Sequence, residues 1–285
     1  MNKRFMLLSL VLAVSVAVAV AGQGTKPLGI QVPVDAPEGV VHQHVSVPPL
    51  REPATDRPMV GTYTTLGGYY DYQCNGGACQ HIRVNPANGN VHVTFMLSDD
   101  SLSISASRRV GYAFSTNAGA TWNNFNNLRV PARRAGFPTL DLLQGSTAGL
   151  PVIANHNETT PGLLTSALYV DSPEGAGAFS ELNNPPIIAS SDEPIWPYVA
   201  NPSDGSIVIH ASRQTAATNH LTRTSDFATW SPWTSFPGTN SAGGRYSTHA
   251  NGTGRVATLL NAVGNGVYLL ESTDNGQTWP TLAIT

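Results

Sequence analysis

Charge is scarce in this chain: of 285 residues, 12% are Asp, Glu, Lys or Arg, with 15 basic side chains against 18 acidic. No run of Lys or Arg interleaved with aromatics occurs, and the net charge is −3, so nothing electrostatic points to nucleic acid. Beyond residue 21 no stretch is apolar enough to cross a bilayer as a helix. Cysteine is limited to two residues, too few for a disulfide framework or a cysteine-built zinc site. The sequence also lacks a P-loop, a dinucleotide-binding fingerprint, a His-Glu-x-x-His motif and a nucleophile elbow, which sets aside the enzymes those motifs announce. No cofactor and no metal are expected.

What the chain has instead is turns. Its 27 Gly and 21 Pro, set among abundant Val, Thr and Ser, favour short strands over helices. Residues 1–21 read as a secretory signal: Lys3 and Arg4 precede an apolar run, and Ala19-Val20-Ala21 offers a small-residue cleavage site before Gly22. The alternative, an uncleaved anchor, suits the run less well because it is short for a span of ~20 residues. Export implies a secreted, cell-surface or periplasmic protein, and an oxidising compartment in which Cys74 and Cys79 pair across a Gly-rich loop. Residues 22–60 hold seven prolines and read as an extended linker, with His42 and His44 a solvated pair. The folded domain is assigned to residues 61–285.

One stretch in that domain recurs. Ser272-Thr273-Asp274-Asn275-Gly276-Gln277-Thr278-Trp279 is repeated as Ser115-Thr116-Asn117-Ala118-Gly119-Ala120-Thr121-Trp122, and in shortened form from Thr224 through Asp226 to Trp230. A degenerate copy runs from Asp171 to Phe179. The Asp or Asn side chain caps backbone N–H groups, Gly takes the positive-φ position, and the ring starts the next strand. The pattern resembles the Asp-box, or BNR repeat, of sialidase-like β-propellers. The anchoring aromatics, Trp122, Phe179, Trp230 and Trp279, recur at roughly 50 residues, which suits one four-stranded blade per repeat.

The strand order supports that reading. Residues 81–85 and 90–96 flank Pro86-Ala87-Asn88-Gly89, a strong hairpin signal, and residues 109–114 run into the first box. The same sequence of two strands, a third strand and a box returns three times, giving all-β blades near 74–130, 137–185, 195–237 and 245–285. A β-sandwich offers no reason for a box after every third strand. The resemblance implies six or more blades, so the four legible ones are read as part of a truncated ring. The alternatives are a closed four-bladed ring or a closing strand from residues 61–73.

In such a ring the boxes share one rim, and ligand contacts are expected on the other. That opposite rim should carry Gln80, His81, Arg83, Asp99, Asp100, Arg133, Arg134, His156, Glu158, Trp196, Tyr198, Arg213, His220, Arg245 and Tyr246. The resemblance implies testing for a sialidase site: three arginines, drawn from Arg245, Arg213 and Arg133 or Arg134, to clamp a carboxylate; a Tyr-Glu pair, Tyr246 and Glu271; and an acid at Asp99 or Asp100. The match is poor, because Arg83 is followed by Val84-Asn85-Pro86 at a strand exit. Two functions follow: a secreted propeller that binds extracellular glycan or protein without catalysis, and a glycoside hydrolase with an incomplete site in this chain. Asn157-Glu158-Thr159 and Asn251-Gly252-Thr253 match the glycosylation sequon.

Overall fold

The computed structural model describes residues 67–70, 80–188, 191–213, 215–237, 239, 247–250, 252–261, 267–280 and 283–284. The signal and linker segments, Cys74 and Cys79, Arg245, Tyr246 and Asn251 lie outside the described residues.

The described chain is all-β apart from one 3-10 turn at Gly145–Thr147, and its strands form four four-stranded antiparallel sheets in chain order. The first holds β1 (Tyr69–Tyr70), β2 (Ile82–Val84), β3 (Val91–Ser98) and β4 (Arg108–Ser115). The second runs β5 (Ala135–Leu142), β6 (Pro151–Thr160), β7 (Leu163–Asp171) and β8 (Phe179–Glu181). The third runs β9 (Ile195–Ala200), β10 (Ile207–Ser212), β11 (Thr218–Thr224) and β12 (Thr234–Pro237). The fourth runs β13 (Ser247–Ala250), β14 (Val256–Asn261), β15 (Val267–Ser272) and β16 (Ala283–Ile284). Asn85 N–H bonds to the Asn90 carbonyl and Gly89 stands at φ 76, so the Asn-Gly signal makes the hairpin it announces.

The first blade departs from expectation twice. Its inner edge is made in two pieces, because β1 pairs Ser98 and Leu97 while β2 pairs Val91 to Val93 on the same side of β3. Tyr69 and Tyr70, within the segment read as a possible ring-closing strand, therefore join the first blade. Its outer strand shrinks to two bridges, Phe114 with Asn123 and Gly111 with Arg129. Three consecutive left-handed residues, Phe125, Asn126 and Asn127, interrupt the extended run between them.

The first strands of the sheets converge on one axis. Leu140 N–H donates to the Gln80 carbonyl at 2.8 Å, the Gln80 amide donates to the Leu140 carbonyl at 2.6 Å, and Thr139 Oγ1 donates to the Pro197 carbonyl at 3.0 Å. Tyr198 reaches Gln80 Oε1 at 3.3 Å, and its ring meets His249 edge-on at 5.7 Å. Successive sheets pack face to face around that axis as propeller blades. Tyr112, Val110, Leu140 and Ile153 fill the first junction; Leu168, Val199, Ile207 and Ile209 the second; Tyr198, Leu221, Leu260 and Leu270 the third. Each such side chain is worth ~2–5 kcal/mol against truncation to Ala. The other faces of the end blades carry exposed apolar side chains: Ile82 and Val84 on the first blade, Leu259, Val267 and Leu269 on the fourth.

Candidate functional site

The box turns form as their residues dictate. Ser272 Oγ accepts from Gly276 N–H at 2.9 Å and donates to Asp274 Oδ1 at 2.6 Å; Asp274 then accepts from the Gln277 and Thr278 N–H groups and the Thr278 hydroxyl. These bonds hold the Asp274 carboxyl at about 2, and equivalent bonds from Thr229 and Ala228 lower that of Asp226. Ser115 and Asn117 repeat the arrangement around Gly119, whose φ is 85. The rings sit differently from expectation: Trp122, Trp230 and Trp279, expected to be largely buried, are half-buried. The Trp122 ring lies over Gly119 of its own turn, whereas Trp230 and Trp279 pack against the rims of the second and third inter-blade cores. Trp230 donates its N–H to the Asn183 carbonyl of the preceding blade. The polar groups of these turns are spent on one another, which suits structure more than ligand.

Because the strands alternate direction, the turns between first and second strands share the box rim. The opposite rim carries the starts of β5, β9 and β13 and the loops 99–107, 161–162 and 213–217. Most of the sequence candidates are engaged with residues outside the candidate set. Arg133 donates to Glu181 at 2.6 Å and to the Tyr169 hydroxyl, Arg134 to the Ser105 carbonyl, and Arg213 to the Asp192 carbonyl. No three-arginine clamp forms among the described residues, because these guanidinium groups are engaged by separate partners: Arg133 by β7 and β8, Arg134 by the 99–107 loop and Arg213 by the segment before β9. Glu158 accepts from Gly162 N–H in a tight turn, and Asp100 accepts from Leu102 N–H. His81 Nδ1 lies 2.9 Å from the Thr94 carbonyl, and Arg83 pairs with Asp141 at 2.9 Å. Glu271 is misplaced for catalysis: it directly precedes the box at Ser272, pairs with Arg255 and lies at the box end of β15, away from the start of β13.

His156 and Trp196 do come together, but below the surface. Both are buried, their rings 6.3 Å apart, and Phe137 stands edge-on to each with the Arg108 guanidinium 4.9 Å above its own ring. Burial, then Arg108 and Arg134, push His156 well below its ordinary value, so it is neutral. Phe137 and Trp196 occupy matching places in β5 and β9, each before a proline and each at positive φ, 51 and 57. Non-glycine residues rarely take that conformation, and here it turns both rings inward. His220, near the same rim, hydrogen-bonds Ser235 and is pushed to about 4 by burial and then Arg213.

On this rim a solvent-open cavity of about 430 Å³ is lined by Gly67, Gly68, Tyr69, Asp99, Asn127 and Arg129. Arg129 anchors it, donating from Nε and Nη2 to Asp99 Oδ1 at 3.0 and 2.9 Å, and to the Gly67 carbonyl and Asn127. Arg109 Nε lies 3.3 Å from the other Asp99 oxygen. Tyr69 stands beside this polar set with half its surface exposed. Of these residues only Asp99 is among the sequence candidates. The doublet Gly67-Gly68 before Tyr69-Tyr70 was the one available signal, while Arg129 belongs to an irregular strand with no motif.

No protein-family model matches the chain, and no curated protein matches it by sequence. Solved structures do. An α-L-arabinanase of Penicillium chrysogenum, complexed with arabinobiose, is 17% identical with a TM-score of 0.52, over 80% of this chain and 72% of that one. A protein of unknown function from Dyadobacter fermentans is 14% identical with a TM-score of 0.51, over 76% and 71%. The NanB sialidase of Streptococcus pneumoniae is 16% identical with a TM-score of 0.41, over 64% and 28%. At such identities the likeness concerns the fold, and the first two matches carry it.

Proposed function

We propose that this chain is an exported glycan-binding propeller whose ligand sits on the rim opposite the box turns, over Tyr69, Asp99, Asn127 and Arg129. The observation that carries this reading is the open cavity those residues line. A saccharide presents hydroxyl groups that both donate and accept, along with an apolar C–H face. The Asp99 carboxylate and the Asn127 carboxamide, set in place by Arg129, meet the hydroxyls, and the exposed Tyr69 ring offers a flat surface for the C–H face. The arabinobiose complex of the Penicillium arabinanase is in keeping with a saccharide ligand on this fold.

Binding is preferred to hydrolysis because the rim carboxylates are committed. Asp99 is held by two arginines, Glu158 closes a turn, and Asp192 accepts from Thr215 and Ala216 N–H groups. A general acid needs a carboxyl free to reach the bond it protonates, and these carboxylates are already engaged by guanidinium or backbone N–H partners. The test is equilibrium binding of the purified chain to a panel of immobilised neutral and acidic oligosaccharides, repeated with Tyr69→Ala and Asn127→Ala. Retention of a defined saccharide, weakened about tenfold or more by either variant with the chain still folded, is expected. Equal binding by the variants, or no saccharide retained by the parent chain, sinks the reading.

A further inference from the structure

The turn after β7 differs from the other three boxes. Where they place Asn117, Asp226 or Asp274 to cap their own N–H groups, the second blade has Pro173. Asp171, wholly buried, takes over the capping and accepts from Ala178 N–H at 2.7 Å and Gly177 N–H at 3.1 Å. The next position, Ala118, Phe227 or Asn275 elsewhere, is Glu174. Its carboxylate, free of the turn, reaches across to the first blade. Glu174 Oε1 accepts from Asn85 Nδ2 at 2.9 Å and from His92 Nε2 at 3.0 Å, and Oε2 accepts from Asn88 Nδ2 at 2.7 Å. His92 is wholly enclosed, with Nδ1 2.7 Å from the Tyr112 hydroxyl. With Nε2–H given to the carboxylate, Nδ1 accepts from Tyr112, so the chain Tyr112, His92, Glu174 is satisfied with a neutral imidazole.

We propose that Glu174 is an acid-operated catch on the first blade: protonating this carboxyl releases the turn between β2 and β3, and the first blade opens away from the second before the rest of the ring unfolds. The first blade is the one such a catch could free, because Ile82 and Val84 on its other face are exposed, whereas the third blade is packed on both sides. The corresponding contact at the third junction is held by Arg223, which donates to Asp204 and to the Asn275 carbonyl, so the catch residue there is an uncharged Asn.

The charged and titratable neighbours divide as follows. Burial disfavours the charge of Glu174, but the hydrogen bonds from Asn85, Asn88 and His92 outweigh it and hold the carboxyl below its ordinary 4.5. A carboxyl depressed in the folded state stabilises above its ordinary value, and that contribution disappears as pH falls through the folded value. Burial likewise lowers His92, against Glu174 and Asp171, so below its ordinary 6.5 the opened chain takes a proton that the closed one resists. Both act to open the junction in acid. Asp171 acts in the opposite direction, since burial raises it, but its bonds stay within its own turn. Tyr112 is raised by burial and stays neutral, and Arg83, which faces His92 across the β2–β3 ladder, is paired with Asp141.

Amide hydrogen exchange on the full chain, with labelling times scaled for the intrinsic effect of pH, tests this. Peptides spanning β3 and β4 should lose protection at a higher pH than those spanning β10 and β11. Asn88→Ala, at an exposed turn, removes one donor and should move the first midpoint upward while leaving the second in place. Glu174→Gln, if it folds, should show reduced β3 and β4 protection already near neutral pH with the carboxyl-dependent step gone. Each unit of depression removed corresponds to about tenfold in the opening equilibrium. Loss of protection in both pairs of strands at one common midpoint, or an Asn88→Ala midpoint identical to the parent's, overturns the proposal.

Discussion

Replacing Gly175 by Ala measures how tightly the box turn of the second blade is pressed onto the first. Gly175 stands at φ 72, and a Cβ built there falls inside the van der Waals envelope of the Phe114 ring, a member of the first inter-blade core. Two costs follow. A Cβ in the left-handed region costs ~1–2 kcal/mol, and forcing a packed ring aside costs a further ~1–3 kcal/mol. Gly89 is the control: its φ is 76, yet a Cβ there meets nothing within 4 Å, so Gly89→Ala carries the conformational cost alone. Both substitutions gain the same ~0.4–1 kcal/mol from a stiffer unfolded chain, which cancels in the comparison. Urea melts at constant m-value should therefore place Gly175→Ala below Gly89→Ala by ~1–3 kcal/mol. Losses equal within experimental error would mean that the turn does not bear on Phe114 and that the first junction is looser than described.

Three other outcomes are expected. Trp230→Ala should destabilise by ~1 kcal/mol more than Trp279→Ala in denaturant melts, because both rings are half-buried at blade junctions but Trp230 also donates to the Asn183 carbonyl. In a host that glycosylates exported proteins, mass spectrometry should find Asn157 unmodified despite its sequon, because its side chain is fully buried and bonded to the Tyr169 hydroxyl. His220, pushed to about 4 in the folded chain, should contribute a loss of stability that begins as pH falls below 6.5 and grows by up to ~1.4 kcal/mol per pH unit until the folded value is reached. His220→Gln should flatten the pH dependence of urea melts by that amount, and an unchanged slope would place the proton elsewhere.

What the sequence made legible is what local chemistry decides. The Asn88-Gly89 turn, the Ser/Asp/Gly turns and the three-strands-then-box order each need only neighbouring residues, and all four sheets follow from them. What it hid depends on residues far apart. Tyr69 meets Ser98 across 29 positions with a turn signal in between that suggests a different partner. Phe137 and Trp196 adopt a backbone conformation that the following proline argues against, imposed by the crowded rim. The motif implies largely buried tryptophan rings, each opening a strand and folding back on its own or the neighbouring blade, whereas the three rings are half-buried. The ligand rim suffered most: its candidates were chosen residue by residue, but Arg133, Arg134 and Arg213 are occupied by Glu181, Ser105 and Asp192, partners no motif announces.

The claim that the ligand rim lies opposite the boxes is tested most directly by hydrogen-exchange footprinting of the full chain with and without a saccharide that it binds. The account predicts protection confined to residues 67–70, 99–107 and 127–134, with the box turns at 115–122, 224–230 and 272–279 unchanged. Protection centred on those turns, with the Tyr69 and Arg129 segments unaffected, would contradict it.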